Sequence, residues 1–177
     1  MIPLGNKTAY LLMFIHLETR KVFLSPATLE PNEQWVCQRA RNVKMYMADA
    51  GIEQRFILHA RDTKFSEEFD ETFRDDDIEV VKTPFQAPDA NAFAESWIGN
   101  FKREVLNHFM CLGLKHLDHI AQQGVEFYNT HRPHQSKGNE PLKFQAERPH
   151  ATPSTRGDVE CLSILGGLLK HYHRKAA

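Results

Sequence analysis

No excess of charge of either sign is present: 22 lysines and arginines stand against 23 aspartates and glutamates in 177 residues, a net charge of −1. That balance removes the long-range attraction by which most stand-alone nucleic-acid binders gather on a phosphate backbone, so any such contact has to come from a local patch. Cysteine is scarce. Cys37, Cys111 and Cys161 are odd in number and widely spaced, which fits neither a disulfide framework nor a C-x-x-C metal or redox site; all three are expected to be packing residues. No window approaches the roughly 18 apolar residues of a membrane span. The opening MIPLGNKTAY lacks the charged start and long apolar stretch of a secretory leader, so a cytoplasmic protein with no membrane partner is expected. Internal repeats are absent too.

With 41% hydrophobic and 25% charged residues, the chain has material for one ordinary globular domain and a short appendage. Tyr10 to Leu17 is a near-continuous apolar run and Lys21 to Leu24 a second, so the pair reads as a β-hairpin closed by Pro26. From Asn32 to Ala50 apolar residues recur at helical spacing, with Gly51 just past the end. Arg55 to Leu58 reads as a strand, Ser66 to Phe73 as a helix with phenylalanines four apart, and Ile78 to Lys82 as a strand, the pattern of a parallel crossover. Pro84 and Pro88 mark a loop, Asn91 can cap a long helix from Ala92 to about Cys111, and a last helix runs from about Leu117 to Tyr128 before Pro133. Pro149, Pro153, Ser154, Thr155 and Gly157 read as a linker, and Leu165 to Ala177 as an apolar patch with a basic end.

The segments ILHARDTKF (57–65), APDANAFAESWIGNFKREVL (87–106) and YNTHRPHQ (128–135), with LLMFIHLETRKV (11–22), together resemble the integrase core of bacterial insertion-sequence transposases, retroviral-integrase-like members of the ribonuclease-H-like superfamily. The resemblance covers roughly residues 9 to 143. It implies an α/β, three-layer fold with a mixed sheet, here with its first central strand missing. It also implies DNA integration and transposition chemistry, in which three acidic residues hold two Mg²⁺ ions that activate the attacking oxygen and stabilise the leaving one. On that basis residues 1–143 form an N-terminally truncated core and 144–177 a linker and basic tail.

Matched position by position, the acidic set is incomplete. The strand that carries the family's first Asp would lie ahead of Met1, and aligning Arg61, Thr63 and Phe65 on the second motif puts Ala60 where the second Asp belongs. Glu95 matches the third ligand. A methyl group cannot bind Mg²⁺, so the chain is expected to be catalytically inactive and to hold no metal. His16 occupies a second-strand position where the family commonly has Asp, although that residue is not a ligand.

Asp62 lies two residues from Ala60 and on an extended backbone points to the same side, so it is a substitute ligand in principle; its displacement of roughly 6–7 Å along the strand favours a turn residue instead. Lys102 and Arg103, and Arg132 of YNTHRPHQ, are the candidate DNA contacts. Against this, Lys102 and Arg103 adjoin Glu104 and read equally as a solvated face, because phosphate binding needs several cations together. Arg132 is expected to pair with a carboxylate or a phosphate. The histidine pairs 116/119, 131/134 and 171/173 lack partners at zinc-finger spacing, so zinc is not expected. No helix-turn-helix pattern precedes the core, which speaks against sequence-specific binding. Two functions remain open: an inactive transposase core, or a non-catalytic DNA-binding or dimerising module, a homo-oligomer included, that modulates an intact transposase.

Overall fold

Asn32 starts the first helix by accepting the Trp35 N–H on its side-chain oxygen (2.9 Å), satisfying one of the amides a helix N-terminus leaves open. Val36, Cys37, Ala40, Val43 and Met47 then fall on one buried face. Gly51, at φ +63°, turns the chain out of the helix in a conformation other residues adopt only at a cost. Ser66 caps the second helix in the same way, and the rings of Phe65, Phe69 and Phe73 pack at a tilt, with centroid distances of 4.9 and 5.2 Å, to anchor it.

In the computed structural model, which describes residues 2–4, 7–84, 91–142 and 158–174, these elements form a mixed α/β architecture. The order is β1 (Ile2–Leu4), β2 (Lys7–Ala9), β3 (Met13–Ile15), β4 (Val22–Leu24), α1 (Glu33–Asp49), β5 (Phe56–His59), α2 (Glu67–Arg74) and β6 (Glu79–Lys82). After them come α3 (Ala92–Glu104), α4 (Leu114–Thr130), β7 (Pro133–His134), β8 (Glu140–Pro141), β9 (Val159–Ile164) and β10 (Leu169–Arg174). Strands β3 and β4 pair antiparallel and β5 and β6 pair parallel through α2, as their patterns imply. Among the described residues every sheet has two strands, and none joins β3 to β5.

Two cores lie on opposite faces of the β3–β4 hairpin. Met13, Ile15 and Val22 pack with Trp97 and Phe101 of α3 and Leu117, Ile120 and Val125 of α4. Leu12, Phe14 and Phe23 pack with α1 and α2. This division follows from strand alternation, which sends successive side chains to opposite faces.

Three expectations need correction. The long helix stops at Glu104 rather than Cys111: Val105 leaves helical geometry (φ −124°, ψ −69°) and a single tight turn, Leu106–His108, follows. Val105, Asn107 and His108 are weak helix formers, and leaving the helical path lets Val105 and Leu106 both bury. Within the stretch read as a linker and tail, residues 159–174 form a β-hairpin, whose Leu165 and Leu169 pack against the first core. Cys161 lies on the exposed strand β9 and is not a packing residue, whereas Cys37 is buried and its thiol is pushed up in pKa by that burial. The linker residues Pro149 to Gly157, the loop residue Pro88 and the 143/144 boundary lie outside the described residues. Among the described residues no helix is long and apolar enough to cross a membrane.

Candidate active site

An apolar cleft of about 790 Å³ opens between the hairpin and β5. Residues 11–18 form one wall and 53–60 the other, with α1 and α2 on one side and α3 on the opposite side. The cleft gathers His16, Ala60, Asn91 and Lys102, so the elements that the sequence motifs mark do converge on one place. Neither Glu95 nor Asp62 lines it. Glu95 is exposed in the first turn of α3, and Asn91 makes no side-chain cap bond there.

Asp62 is occupied elsewhere. Its Oδ1 accepts the backbone N–H of Lys64 at 3.0 Å and its carboxylate takes the Lys64 ammonium at 3.2 and 3.3 Å. The backbone bond first, and the lysine after it, hold the Asp62 carboxyl below the usual carboxylate range. The residue closes the turn into α2, with the Asp62 carbonyl accepting Phe65 N–H. His16 serves a similar local purpose, its Nδ1 lying 2.8 Å from Thr19 Oγ1 at the tip of the hairpin.

Beneath Ala60 lies a buried polar cluster that composition and motif gave no means of finding. His59 Nδ1–H donates to the Ala60 carbonyl (2.8 Å) and its Nε2 lies 3.0 Å from Oδ1 of Asp70. Asp70, wholly buried on α2, also takes Lys82 (2.7 Å) and Arg74 (3.5 Å). The cluster ties α2 to both parallel strands and fixes the end of β5 where Ala60 sits.

The YNTHRPHQ segment folds back on the core. Asn129 brackets β4, accepting Val22 N–H at 3.0 Å and donating to the Val22 carbonyl at 2.8 Å. Arg132 makes a bidentate pair with Glu104 (2.6 and 2.8 Å), so its partner is a carboxylate. His134 Nε2–H donates to the Tyr128 carbonyl, and burial pushes its pKa down. Arg103 donates to Asn100 on the exposed face of α3 (2.5 Å), and Lys102 reaches toward the cleft. Arg20, at positive φ in the hairpin turn, lies 3.8 Å over the ring of Phe93, a contact linking β3–β4 to the start of α3.

The donor set does not fit Mg²⁺. A divalent ion of that size takes several oxygens in near-octahedral array. Here Ala60 offers a methyl, Asp62 is neutralised by Lys64, and Glu95 is exposed and not among the residues that line the cleft. Among the described residues no three His, Cys, Asp or Glu side chains cluster to hold a metal.

The fold and the cleft define an α/β protein with two sheet edges converging on one groove. Residues 76–141 match the integrase core domain family. This interval holds Glu95, Lys102, Arg103 and Arg132 but stops short of Ala60 and Asp62. No curated protein matches the chain. Among solved structures, 65 chains match. One belongs to the cryo-electron-microscopy structure of the simian T-cell lymphotropic virus intasome in complex with PP2A regulatory subunit B56 gamma, with 14% identity and a TM-score of 0.57. The match covers 96% of this chain and 62% of that one, so the present chain spans less than two thirds of its length. At that identity the likeness is one of fold.

Proposed function

We propose that this chain is a ribonuclease-H-like catalytic core of the integrase and transposase kind that no longer cuts or joins DNA. The observation that carries the reading is Ala60 at the end of β5, in the cleft where the second acidic ligand of such a core belongs, with Glu95 exposed on α3 and not part of the cleft's lining. In this reading residues 1–143 are the three-layer core, cytoplasmic and able to self-associate, and 144–177 an appendage whose hairpin packs back on it. The test is a strand-transfer assay with Mg²⁺ or Mn²⁺. No product is expected, and product that disappears in Glu95→Gln overturns the proposal. Calorimetric titration of the two ions into wild type and Ala60→Asp adds a binding readout; specific binding by wild type would mean that Asp62 or another group has been recruited.

A second reading, a non-catalytic DNA-binding module that modulates an intact transposase, draws on Lys102 at the cleft and Arg103 on the exposed face of α3. Arg132 supports it less, since Glu104 already holds its guanidinium. DNA binding that weakens steeply with salt, and weakens again in Lys102→Ala, is its expected signature.

A further inference from the structure

The hairpin of β9 and β10 has two unlike faces, and its register fixes which residue lies on which. Val159 stands opposite Arg174, Cys161 opposite Tyr172 and Ser163 opposite Lys170, while Glu160, Leu162 and Ile164 stand opposite His173, His171 and Leu169. Directly opposed residues share a face and successive residues alternate, so the two sets lie on opposite sides of the ribbon. The second set is turned to the rest of the chain. Leu169 packs on the first core, the His171 ring lies 4.8 Å from that of His131 at the end of α4, and His173 lies 3.8 Å from Glu160. The first set is turned to solvent: all six of its residues are exposed, Tyr172 by 62% and Val159 by 58%. No residue of the hairpin lines the cleft.

Strand alternation has thereby sorted the charges. Glu160, the one acid in the two strands, falls on the inner face, whereas Lys170 and Arg174 fall on the outer face with Tyr172 between them. The strand repeat sets the two cations about 13 Å apart, with the phenol ring about 7 Å from each. A chain with a net charge of −1 has no general attraction for polyanions, so a strip of this sign with no acid of its own is a local feature. Its order of cation, aromatic and cation is complementary to an extended polynucleotide, in which phosphates alternate with flat bases. An acidic peptide would satisfy the cations and leave the ring without a stacking partner. A duplex does the same, because its bases are already stacked on one another. Two cations alone neutralise too few phosphates to hold a strand, and the ring between them supplies the remaining affinity.

We propose that the outer face of the β9–β10 hairpin binds single-stranded nucleic acid, with a base stacked on Tyr172 and the flanking phosphates on Lys170 and Arg174. The site is separate from the cleft, and it stands whether or not the chain cuts DNA or holds it through Lys102.

The test is fluorescence anisotropy of the full chain with a fluorescein-labelled oligothymidylate, an oligouridylate, an abasic strand and a duplex, all of one length. Saturable binding of a single strand is expected, tighter than that of the duplex; binding of either the thymidylate or the uridylate supports the proposal, and the tighter of the two identifies the sugar. Loss of the bases from the probe and Tyr172→Ala should each weaken binding about five- to a hundredfold, the range of one base stacked on an aromatic ring, while Tyr172→Phe should retain it. Between about 50 and 200 mM salt, the slope of log affinity against log salt should become shallower by about 0.7 in Lys170→Ala and stay unchanged in Tyr172→Ala. Both side chains are exposed, so the variants should keep the urea midpoint of the wild type. If one does not, the abasic strand makes the same comparison on unaltered protein. Absence of saturable binding, or binding as tight to the abasic strand or the duplex as to the single strand, overturns the proposal. So does binding that is lost in Lys102→Ala and indifferent to Tyr172→Ala, which assigns the contact to α3 and leaves the DNA-binding reading of that helix standing.

Discussion

Replacing Asp70 by Asn removes the charge at the centre of the cluster beneath Ala60 and little else. The carboxylate is fully buried and faces His59, Lys82 and Arg74. Removing one partner of a buried ion pair costs about 3–5 kcal/mol, because the group left behind has lost its hydration and its counter-charge. Here the loss is uneven: the Lys82 and Arg74 side chains are 37% and 47% exposed and regain water, while His59 is 4% exposed and does not. One stranded buried partner places the cost at the lower end, about 3 kcal/mol. In urea unfolding, with a slope of about 1–3 kcal/mol per molar for a chain of this size, the midpoint should fall by about 1–3 M. The same variant should speed amide exchange at the end of β5, since His59 also holds the Ala60 carbonyl. A loss below about 0.5 kcal/mol, the range of an ordinary surface substitution, would refute the reasoning and reduce the cluster to a set of dispensable contacts.

Other expectations are independent of this one. A Cβ at Gly124 would sit 2.7 Å from Phe101 Cε2 and 3.1 Å from Val105 Cγ1, so Gly124→Ala should destabilise the α3–α4 contact by about 1–3 kcal/mol, measurable by the same unfolding experiment. Arg132 and Glu104 are 32% and 45% exposed, and a double-mutant cycle between Arg132→Ala and Glu104→Ala should return a coupling of only about 0.5–1 kcal/mol. A coupling near zero would mean that the bidentate geometry does not survive in solution. His134 has its pKa lowered by burial, so its contribution to stability is present above the unfolded value of about 6.5 and is lost as pH falls through its folded value. His134→Gln should flatten the decline in stability on the acid side of pH 6.5, and an unchanged pH profile would count against burial as the cause.

Much of the local structure was legible because it depends on neighbours in sequence. The apolar spacing of Val36, Ala40, Val43 and Met47, the caps Asn32 and Ser66, and the Phe65, Phe69 and Phe73 series each specify an element through contacts within one or two turns. The strand-helix-strand order likewise implied the parallel pairing of β5 with β6. The hairpin of β9 and β10 was not legible, because its exposed strand Val159–Ile164 lacks a clear alternation and its anchoring residues, Leu165 and Leu169, are stabilised by a core formed far away in sequence.

The candidate site divides in the same way. That Ala60 stands where the resemblance expects an acid is a statement about residue identity, and it is read from the sequence alone. Asp62 closes a local turn with Lys64, whereas tertiary structure decided the other two: Glu95 stays exposed on α3 outside the cleft's lining, and Glu104 of α3 meets Arg132 just past the end of α4. The His59–Asp70 cluster belongs wholly to the fold. Burial of a carboxylate depends on which distant segments pack beside it, and no local pattern encodes that.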